Sequence, residues 1–147
     1  MFGEGDIHNN LVYPLLRRFS AKGWISRKTA PGERGQKRQV YALTALGRRA
    51  LMERITQFGE HETRSTEQFI IRVGFFELLT PEARSRILNG REQYLRRRDD
   101  HLSKIQNRME VGPFGPEVLR HVRERISAEL KWIHRLRRKA ITIKAKE

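Results

Sequence analysis

Apolar residues recur at helical spacing near the N-terminus, over about residues 10–22. At about 100° per residue, the predicted helix has one apolar arc, formed by Leu11, Val12, Leu15, Leu16 and Phe19. The opposite arc is polar and basic and contains Asn10, Tyr13, Pro14, Arg17, Arg18 and Ala21. Gly23 supplies the left-handed residue that commonly follows a helix. One face therefore needs a hydrophobic core, and the other presents amide, phenol and guanidinium groups.

The pattern changes after this helix. Residues 24–29 and 37–43 have the composition of strands, and turn formers fill the stretch between them. Together they predict a basic β-hairpin, or wing, over about residues 24–43. Thr44 is a suitable N-cap for a further helix over about residues 45–57.

The second half of the chain is expected to be helical. Residues 57–64 are polar and mark the expected change of domain. Residues 67–79 are so apolar that the helix predicted there is expected to be buried on all sides. The sequence Thr80-Pro81-Glu82 is a helix start signal. Two long helices follow it, over about residues 81–108 and 117–139.

Both long helices carry an apolar stripe, and the first contains a seven-residue repeat. We interpret these stripes as a dimer seam across a two-fold axis. The alternative is a seam between the two helices of a single chain. The predicted interface residues are Leu88, Leu95, Leu102, Ile105, Met109, Leu119, Val122, Ile126, Leu130 and Ile133.

The chain is strongly positive, with 31 Lys and Arg against 17 Asp and Glu and a net charge of +14. Between residues 8 and 49 there are ten bases and one acid, Glu33, so the net charge is 10 − 1 = +9. Such a balance predicts a polyanionic partner, nucleic acid first and an anionic membrane surface second.

Duplex DNA suits the polar face of the first helix, because Asn and Arg have the fork geometry that pairs with base edges in the major groove. The alternative for the helix alone is an ordinary amphipathic helix with a solvated basic face. The predicted DNA-binding residues are Asn10, Tyr13, Pro14, Arg17, Arg18, Arg34, Lys37 and Arg38.

Residue types that would carry other chemistry are missing or wrongly spaced. Cysteine is absent, the five histidines lack metal-ligand spacing, and no Lys-Ser or Lys-Thr follows the wing glycines. We therefore expect no metal, no cofactor and no enzyme activity. Trp24 and Trp132 could stack an aromatic effector, although ordinary packing is the favoured interpretation. Because no apolar run reaches the roughly 20 residues of a membrane helix and no signal peptide is apparent, we expect a cytoplasmic protein with no membrane partner.

Four blocks of the sequence resemble PadR-type transcriptional regulators. They are LVYPLLRRF at 11–19, GWI at 23–25, GERG at 32–35 and YALTALG at 41–47. The family pattern is a Tyr-Pro-x-Leu-x-x-Leu helix, a glycine before a hydrophobic strand, a Gly-rich wing and a Tyr-x-Leu-Thr-x-x-Gly helix start. Phe19 stands where leucine is commoner. The resemblance implies a homodimeric regulator, often a repressor, that binds a palindromic operator in double-stranded DNA, and that in some members responds to a small aromatic ligand.

The predicted fold is mainly α with a small β-hairpin. A partial winged helix-turn-helix domain over residues 1–62 is followed by a C-terminal helical dimerisation domain over residues 63–147. The first domain is partial because only residues 1–8 stand where family members have two helices. The apolar face of the first helix is therefore expected to lack part of its cover, either because the natural chain starts upstream or because this is a shortened form. Two other functions stay open: a shortened paralogue that dimerises without reading DNA, and a basic RNA-associated protein.

Overall fold

A computed structural model describes residues 9–32, 35–106 and 112–142, without the side chains of residues 9–11, 141 and 142. The elements are α1 Asn9–Ala21, β1 Ile25–Pro31, β2 Lys37–Leu43, α2 Ala45–Thr56, α3 Glu60–Arg64, α4 Thr66–Gly74, α5 Pro81–Gln106 and α6 Gly115–Thr142, with a 3₁₀ turn at Phe76–Leu78. The fold class is confirmed: the chain is mainly helical with one two-stranded antiparallel sheet. The chain forms two compact units, Met1–Arg54 and Ile55–Glu147. No helix in the described ranges has the length and apolar character needed to cross a membrane.

The elements of the first unit follow the sequence prediction closely. The first helix, the wing and the next helix each begin and end within one residue of the expected bounds. The register of the hairpin runs from Ile25 opposite Leu43 to Pro31 opposite Lys37. Pro14 lies inside α1, beyond its first turn, so the helix loses one backbone donor there.

The first unit has little hydrophobic core. On the apolar face of α1, Leu15 and Phe19 are 42% and 36% exposed, and Val12 and Leu16 are half-buried. Within the described part of the chain, all buried hydrophobic side chains belong to the second unit; they are Ile55, Phe69, Leu79, Ala83, Ile87, Leu88, Leu95, Leu119, Ile126 and Ile133. The apolar face of α1 is therefore only half covered, as the sequence predicts.

The boundary between the units falls earlier in the chain than the polar composition indicates. The sequence predicts it after residue 62, whereas α3 belongs to the second unit. Thr63 in α3 is buried, and its carbonyl accepts a hydrogen bond of 2.6 Å from Arg91 Nη1 in α5. Although α3 is polar in sequence, this hydrogen bond fixes it to α5.

The apolar stripes of α5 and α6 meet within one chain. Five of the ten residues assigned to a dimer seam are buried in this intramolecular contact: Leu88, Leu95, Leu119, Ile126 and Ile133. Side chains at most 9% exposed in one protomer have almost no surface left for a partner, so these five are reassigned to the protomer core. Leu102, Ile105, Val122 and Leu130 are half-buried, and Met109 lies outside the described residues.

The apolar segment after α3 is not buried on all sides, contrary to expectation. It forms α4 and the following 3₁₀ turn, and Phe69 and Leu79 are fully buried. Ile70 and Ile71 are 48% and 49% exposed, because α4 is covered on one side only. The second unit therefore keeps apolar surface on α4.

Arginine side chains are part of the core of the second unit. Arg72, Arg84 and Arg91 are at most 2% exposed. Arg72 donates to the backbone carbonyl of Gln57, and Arg84 donates to the carbonyl of Phe76. Since buried donors are costly unless they are paired, these hydrogen bonds to carbonyls stabilise the buried guanidinium groups.

Ion pairs join the polar edges of α5 and α6. Arg123 in α6 donates from Nε to Asp99 in α5 over 2.8 Å, and this hydrogen bond holds the pKa of the Asp99 carboxyl below its usual value. Glu92 accepts from Arg96 and from Arg137, which similarly lower the pKa of Glu92. The carboxylate form is therefore favoured at both positions.

Candidate nucleic-acid interface

A tight turn leads from the end of α1 into β1. Gly23 has a φ of 68°, in the left-handed region that favours glycine. Its N–H donates to the carbonyl of Ser20, and the N–H of Trp24 donates to the carbonyl of Phe19, each over 2.9 Å. The Trp24 ring packs 5.6 Å from the Phe19 ring, and the Lys22 ammonium lies 4.3 Å from its centroid. This turn fixes the direction in which the hairpin leaves the helix.

Thr44 ties the end of the hairpin back to that turn. Its hydroxyl donates to the carbonyl of Gly23 over 2.6 Å, and its N–H donates to the carbonyl of Trp24 over 2.9 Å. The same hydroxyl accepts from the N–H of Gly47 over 3.0 Å, which caps the first turn of α2. One threonine thus links the end of α1, the base of the hairpin and the start of α2.

Gly47 allows this link to close. A Cβ atom at Gly47 would lie 2.0 Å from the carbonyl oxygen of Trp24 and 2.7 Å from its carbonyl carbon. Both atoms are backbone, so no side chain can move aside. The Thr-x-x-Gly motif at residues 44–47 therefore has a physical reason: threonine makes the link, and glycine leaves room for it.

The hairpin carries a polar network on one side. Arg27 Nε in β1 donates to Gln39 Oε1 in β2 over 2.7 Å, and Gln39 Nε2 donates to Thr29 Oγ1 over 3.2 Å. All three side chains are exposed. Gln39 therefore holds the Arg27 guanidinium in position while leaving it accessible.

The predicted DNA-binding residues of the first unit lie on α1 and on the hairpin. On α1, Tyr13 is 59% exposed and the other members of the basic face are exposed as well: Pro14, Arg17 and Arg18. Lys37 and Arg38 are exposed at the start of β2, next to the hairpin tip. The Asn10 side chain and Arg34 lie outside the described residues.

Arg27 is a further candidate that the sequence did not single out. In sequence it is one of many bases in the first unit. Its position becomes distinctive through Gln39, which lies opposite Thr29 in the register and accepts diagonally from Arg27. Arg27 and Gln39 both belong to the predicted strand segments, but the register of the hairpin is needed to see that their side chains meet. In the part of the chain that the structure describes, no three His, Asp or Glu side chains gather as metal ligands.

Comparisons with known proteins bear on the first unit. Residues 2–53 match the Transcriptional regulator PadR-like family. No curated protein gives a significant match.

Among solved structures, Bacillus subtilis PadR in complex with operator DNA is 16% identical with a TM-score of 0.44, over 89% of this chain and 78% of that chain. The structure of Bacillus subtilis PadR with p-coumaric acid is 16% identical with a TM-score of 0.43, over 90% of this chain and 78% of that chain. The protein smu.1604c from Streptococcus mutans UA159 is 17% identical with a TM-score of 0.43, over 91% of this chain and 79% of that chain.

The family match and the geometry concern the same segment. The match spans α1, the hairpin and most of α2, which Thr44 links together. The resemblance read from the sequence is therefore confirmed: over residues 2–53 this chain carries a PadR-like transcriptional regulator region.

Proposed function

We propose that this protein is a DNA-binding transcriptional regulator that acts as a homodimeric repressor on a palindromic operator. The observation that carries the proposal is the pairing of α1 with a basic hairpin through the Thr44 link, within the segment that matches the PadR-like family. In this assignment, the exposed face of α1 enters the major groove and the hairpin contacts the phosphate backbone.

Electrostatics supports the same assignment. Arg17 and Arg18 on α1, and Lys37 and Arg38 on β2, are exposed and are not held in any ion pair within the described residues. Neutralising a phosphate with such a base releases counterions, which strengthens binding to any sequence. Arg17 and Tyr13 are assigned to base edges, where contacts distinguish one sequence from another.

The first test separates phosphate contact from base reading. Duplexes selected by the wild-type protein from a randomised library are compared with scrambled duplexes. For Arg17→Ala, the preference for the selected sequence is expected to fall by about 1–3 kcal/mol. For Lys37→Gln, affinity for both duplexes is expected to fall alike, and the salt slope to decrease by about 1. The readout is the dissociation constant at several salt concentrations.

Arg49→Ala is the matched control, because Arg49 is an exposed base of the same unit on α2 and is not assigned to the site. If Arg17→Ala keeps the full sequence preference, the α1 face does not read bases. If the wild-type chain selects no duplex but still dimerises, the interaction-protein alternative holds. Preferential binding to single-stranded RNA would favour the RNA-associated alternative.

The homodimer is proposed through the second unit. Its support is apolar surface that one protomer leaves open, with Ile70 and Ile71 about half exposed and Leu102 and Leu130 half-buried. Such surface is typical of an interface in a small soluble protein.

Leu102→Glu is expected to convert the dimer to monomer or to unfold the second unit, because a buried charge without a partner costs several kcal/mol. Sedimentation velocity measures the mass, and circular dichroism shows whether the helices persist. Lys104→Glu, an exposed change on the same helix, is the control and should remain dimeric. A folded Leu102→Glu dimer would remove this residue from the interface.

The remaining parts of the proposal are a cytoplasmic location, which fits the match to a transcriptional regulator family, and a small aromatic effector, which the resemblance to PadR-type regulators implies. The two tryptophans considered for the effector already contact protein rings: Trp24 lies against Phe19, and Trp132 meets Phe69 edge-on at 5.6 Å. An effector site is therefore not assigned to either ring.

A further inference from the structure

The C-terminal half of α6 carries one sign of charge. From residue 131 to 142 the helix contains five bases and no acid. From residue 115 to 130 it contains three bases and three acids, so that half is neutral. The positive charge is thus concentrated at one end of the helix.

Four of these bases lie on the outer face of the helix and are exposed; we call them the α6 basic face: Lys131, Arg135, Arg138 and Lys139. On the opposite side, Ile126 and Ile133 are 5% and 0% exposed in the core of the second unit. The fifth base, Arg137, turns towards α5 and pairs with Glu92 over 2.6 Å. Lys131, Arg135 and Lys139 have no acidic partner among the residues that the structure describes.

Helix stability does not account for this arrangement. Cations near a helix C-terminus are favourable only in about the last turn, and Lys131 and Arg135 lie well before it. Arg135 is four residues from both Lys131 and Lys139, a spacing at which like charges destabilise a helix. A bound polyanion would relieve this repulsion.

We infer that the α6 basic face is a second nucleic-acid contact, which binds the phosphate backbone of duplex DNA without reading its sequence. This inference rests on the proposed function for the presence of DNA. Three bases without acidic partners in the described chain, along one exposed face, are complementary to a phosphate backbone.

Two other polyanions fit the α6 basic face less well. Membrane-bound helices insert an apolar face beside their basic one, and the apolar face of α6 is already buried against α5. Proteins that bind single strands stack bases on exposed aromatic rings. The indole on the helix, Trp132, is half-buried and contacts Phe69, and the exposed imidazole of His134 lies 3.8 Å from the Glu92 carboxylate.

The test compares two triple variants of equal charge. The first is Lys131→Gln, Arg135→Gln and Lys139→Gln on the α6 basic face. The control is Arg64→Gln, Arg96→Gln and Arg120→Gln, which removes three exposed bases that each pair with an acid of the same unit. The probe is a random-sequence DNA duplex, titrated at several salt concentrations. A further variant, Lys131→Arg with Lys139→Arg, keeps the charge.

For the first triple variant, affinity at low salt is expected to fall at least about tenfold. The salt slope should decrease by about 3, because each removed base leaves one phosphate without its neutralising charge. The control triple and the Lys→Arg variant should bind nearly as the wild type does. Equal reductions of affinity in both triple variants would mean that only net charge matters, which overturns the inference. Unchanged binding by the first triple variant overturns it as well.

The outcomes also separate this inference from the proposed function. If Lys37→Gln with Arg38→Gln binds duplex as the wild type does while the α6 triple variant fails, the wing assignment is wrong and the inference stands. If the wild type binds no duplex, both the proposed function and this inference are overturned. If the α6 triple variant loses binding to polyuridylate or to phosphatidylserine vesicles but not to duplex DNA, the occupant is not DNA and the inference is overturned.

Discussion

Glu129→Gln is expected to destabilise the second unit by about 3–5 kcal/mol, because it leaves a buried guanidinium without its counter-charge. Arg91 is 2% exposed, and Glu129 is largely buried beside it. Arg91 Nε lies 2.7 Å from Glu129 Oε1, and Nη2 lies 3.1 Å from Oε2, so the pair is bidentate. Glutamine keeps one acceptor and loses the charge.

The rest of the Arg91 environment cannot replace the carboxylate. Arg91 Nη1 donates to the carbonyl of Thr63 over 2.6 Å, and Nη2 donates to the hydroxyl of Thr66 over 2.8 Å. The rings of Phe69 and Tyr94 lie 5.8 and 5.3 Å from the guanidinium carbon. These interactions join α3, α4 and α5 at one side chain, and Glu129 adds α6. Loss of the carboxylate should therefore weaken all four helices together.

Denaturant unfolding followed by circular dichroism measures the effect. Glu117→Gln is the control, since Glu117 and Arg120 form an ion pair whose side chains are 63% and 65% exposed. Such an exposed pair contributes at most about 1 kcal/mol. If Glu129→Gln and Glu117→Gln unfold at the same denaturant concentration, the buried pair makes no special contribution. Replacing both members, as Arg91→Met with Glu129→Leu, should recover stability, because no charge is then left unpaired.

The first unit could be predicted from the sequence because its signals are local. The helix of residues 9–21 follows from apolar spacing ended by Gly23, and the hairpin follows from strand segments around a run of turn formers. The prediction of Thr44 as a helix cap is confirmed. Its second role, the bond to the Gly23 carbonyl, depends on how distant elements meet and has no local signal.

The second unit was harder to predict, because an apolar repeat on a helix does not say which other helix packs against it. A repeat of apolar residues such as Leu88 and Leu95 predicts a seam, but the same repeat fits a second copy or a helix of the same chain. The structure places α6 against these residues. In the same way, Arg91 is one arginine among many in sequence, and only the convergence of four helices makes it a buried one.

The half-covered apolar face of α1 lowers the expected stability of the first unit. Because the first unit lacks buried hydrophobic side chains within the described residues, its core is weaker than that of the second unit. Backbone amides of residues 12–43 should therefore exchange with solvent faster than those of residues 87–102. A small loss of stability should then affect the first unit alone.

Gly47→Ala is expected to destabilise the first unit by about 1–3 kcal/mol or more, a large fraction of the stability of so small a unit. The new Cβ would lie 2.0 Å from the Trp24 oxygen and 2.9 Å from the Trp24 Cα, so the backbone of the α1–β1 turn must move. That movement breaks the hydrogen bonds of Thr44 to Gly23 and Trp24. The hairpin then loses its fixed direction relative to α1.

Hydrogen exchange measured by mass spectrometry tests this, because it reports each unit separately. In Gly47→Ala, amides of residues 12–43 should lose protection, while those of residues 87–102 should keep it. Gly74→Ala is the control: Gly74 is also helical, nothing lies within 4 Å of its new Cβ, and alanine favours helix. Unchanged protection in Gly47→Ala would mean that the turn adapts without cost. If the first unit binds DNA as proposed, affinity should fall together with protection, because a recognition helix that is not held in place must be ordered at the expense of binding energy.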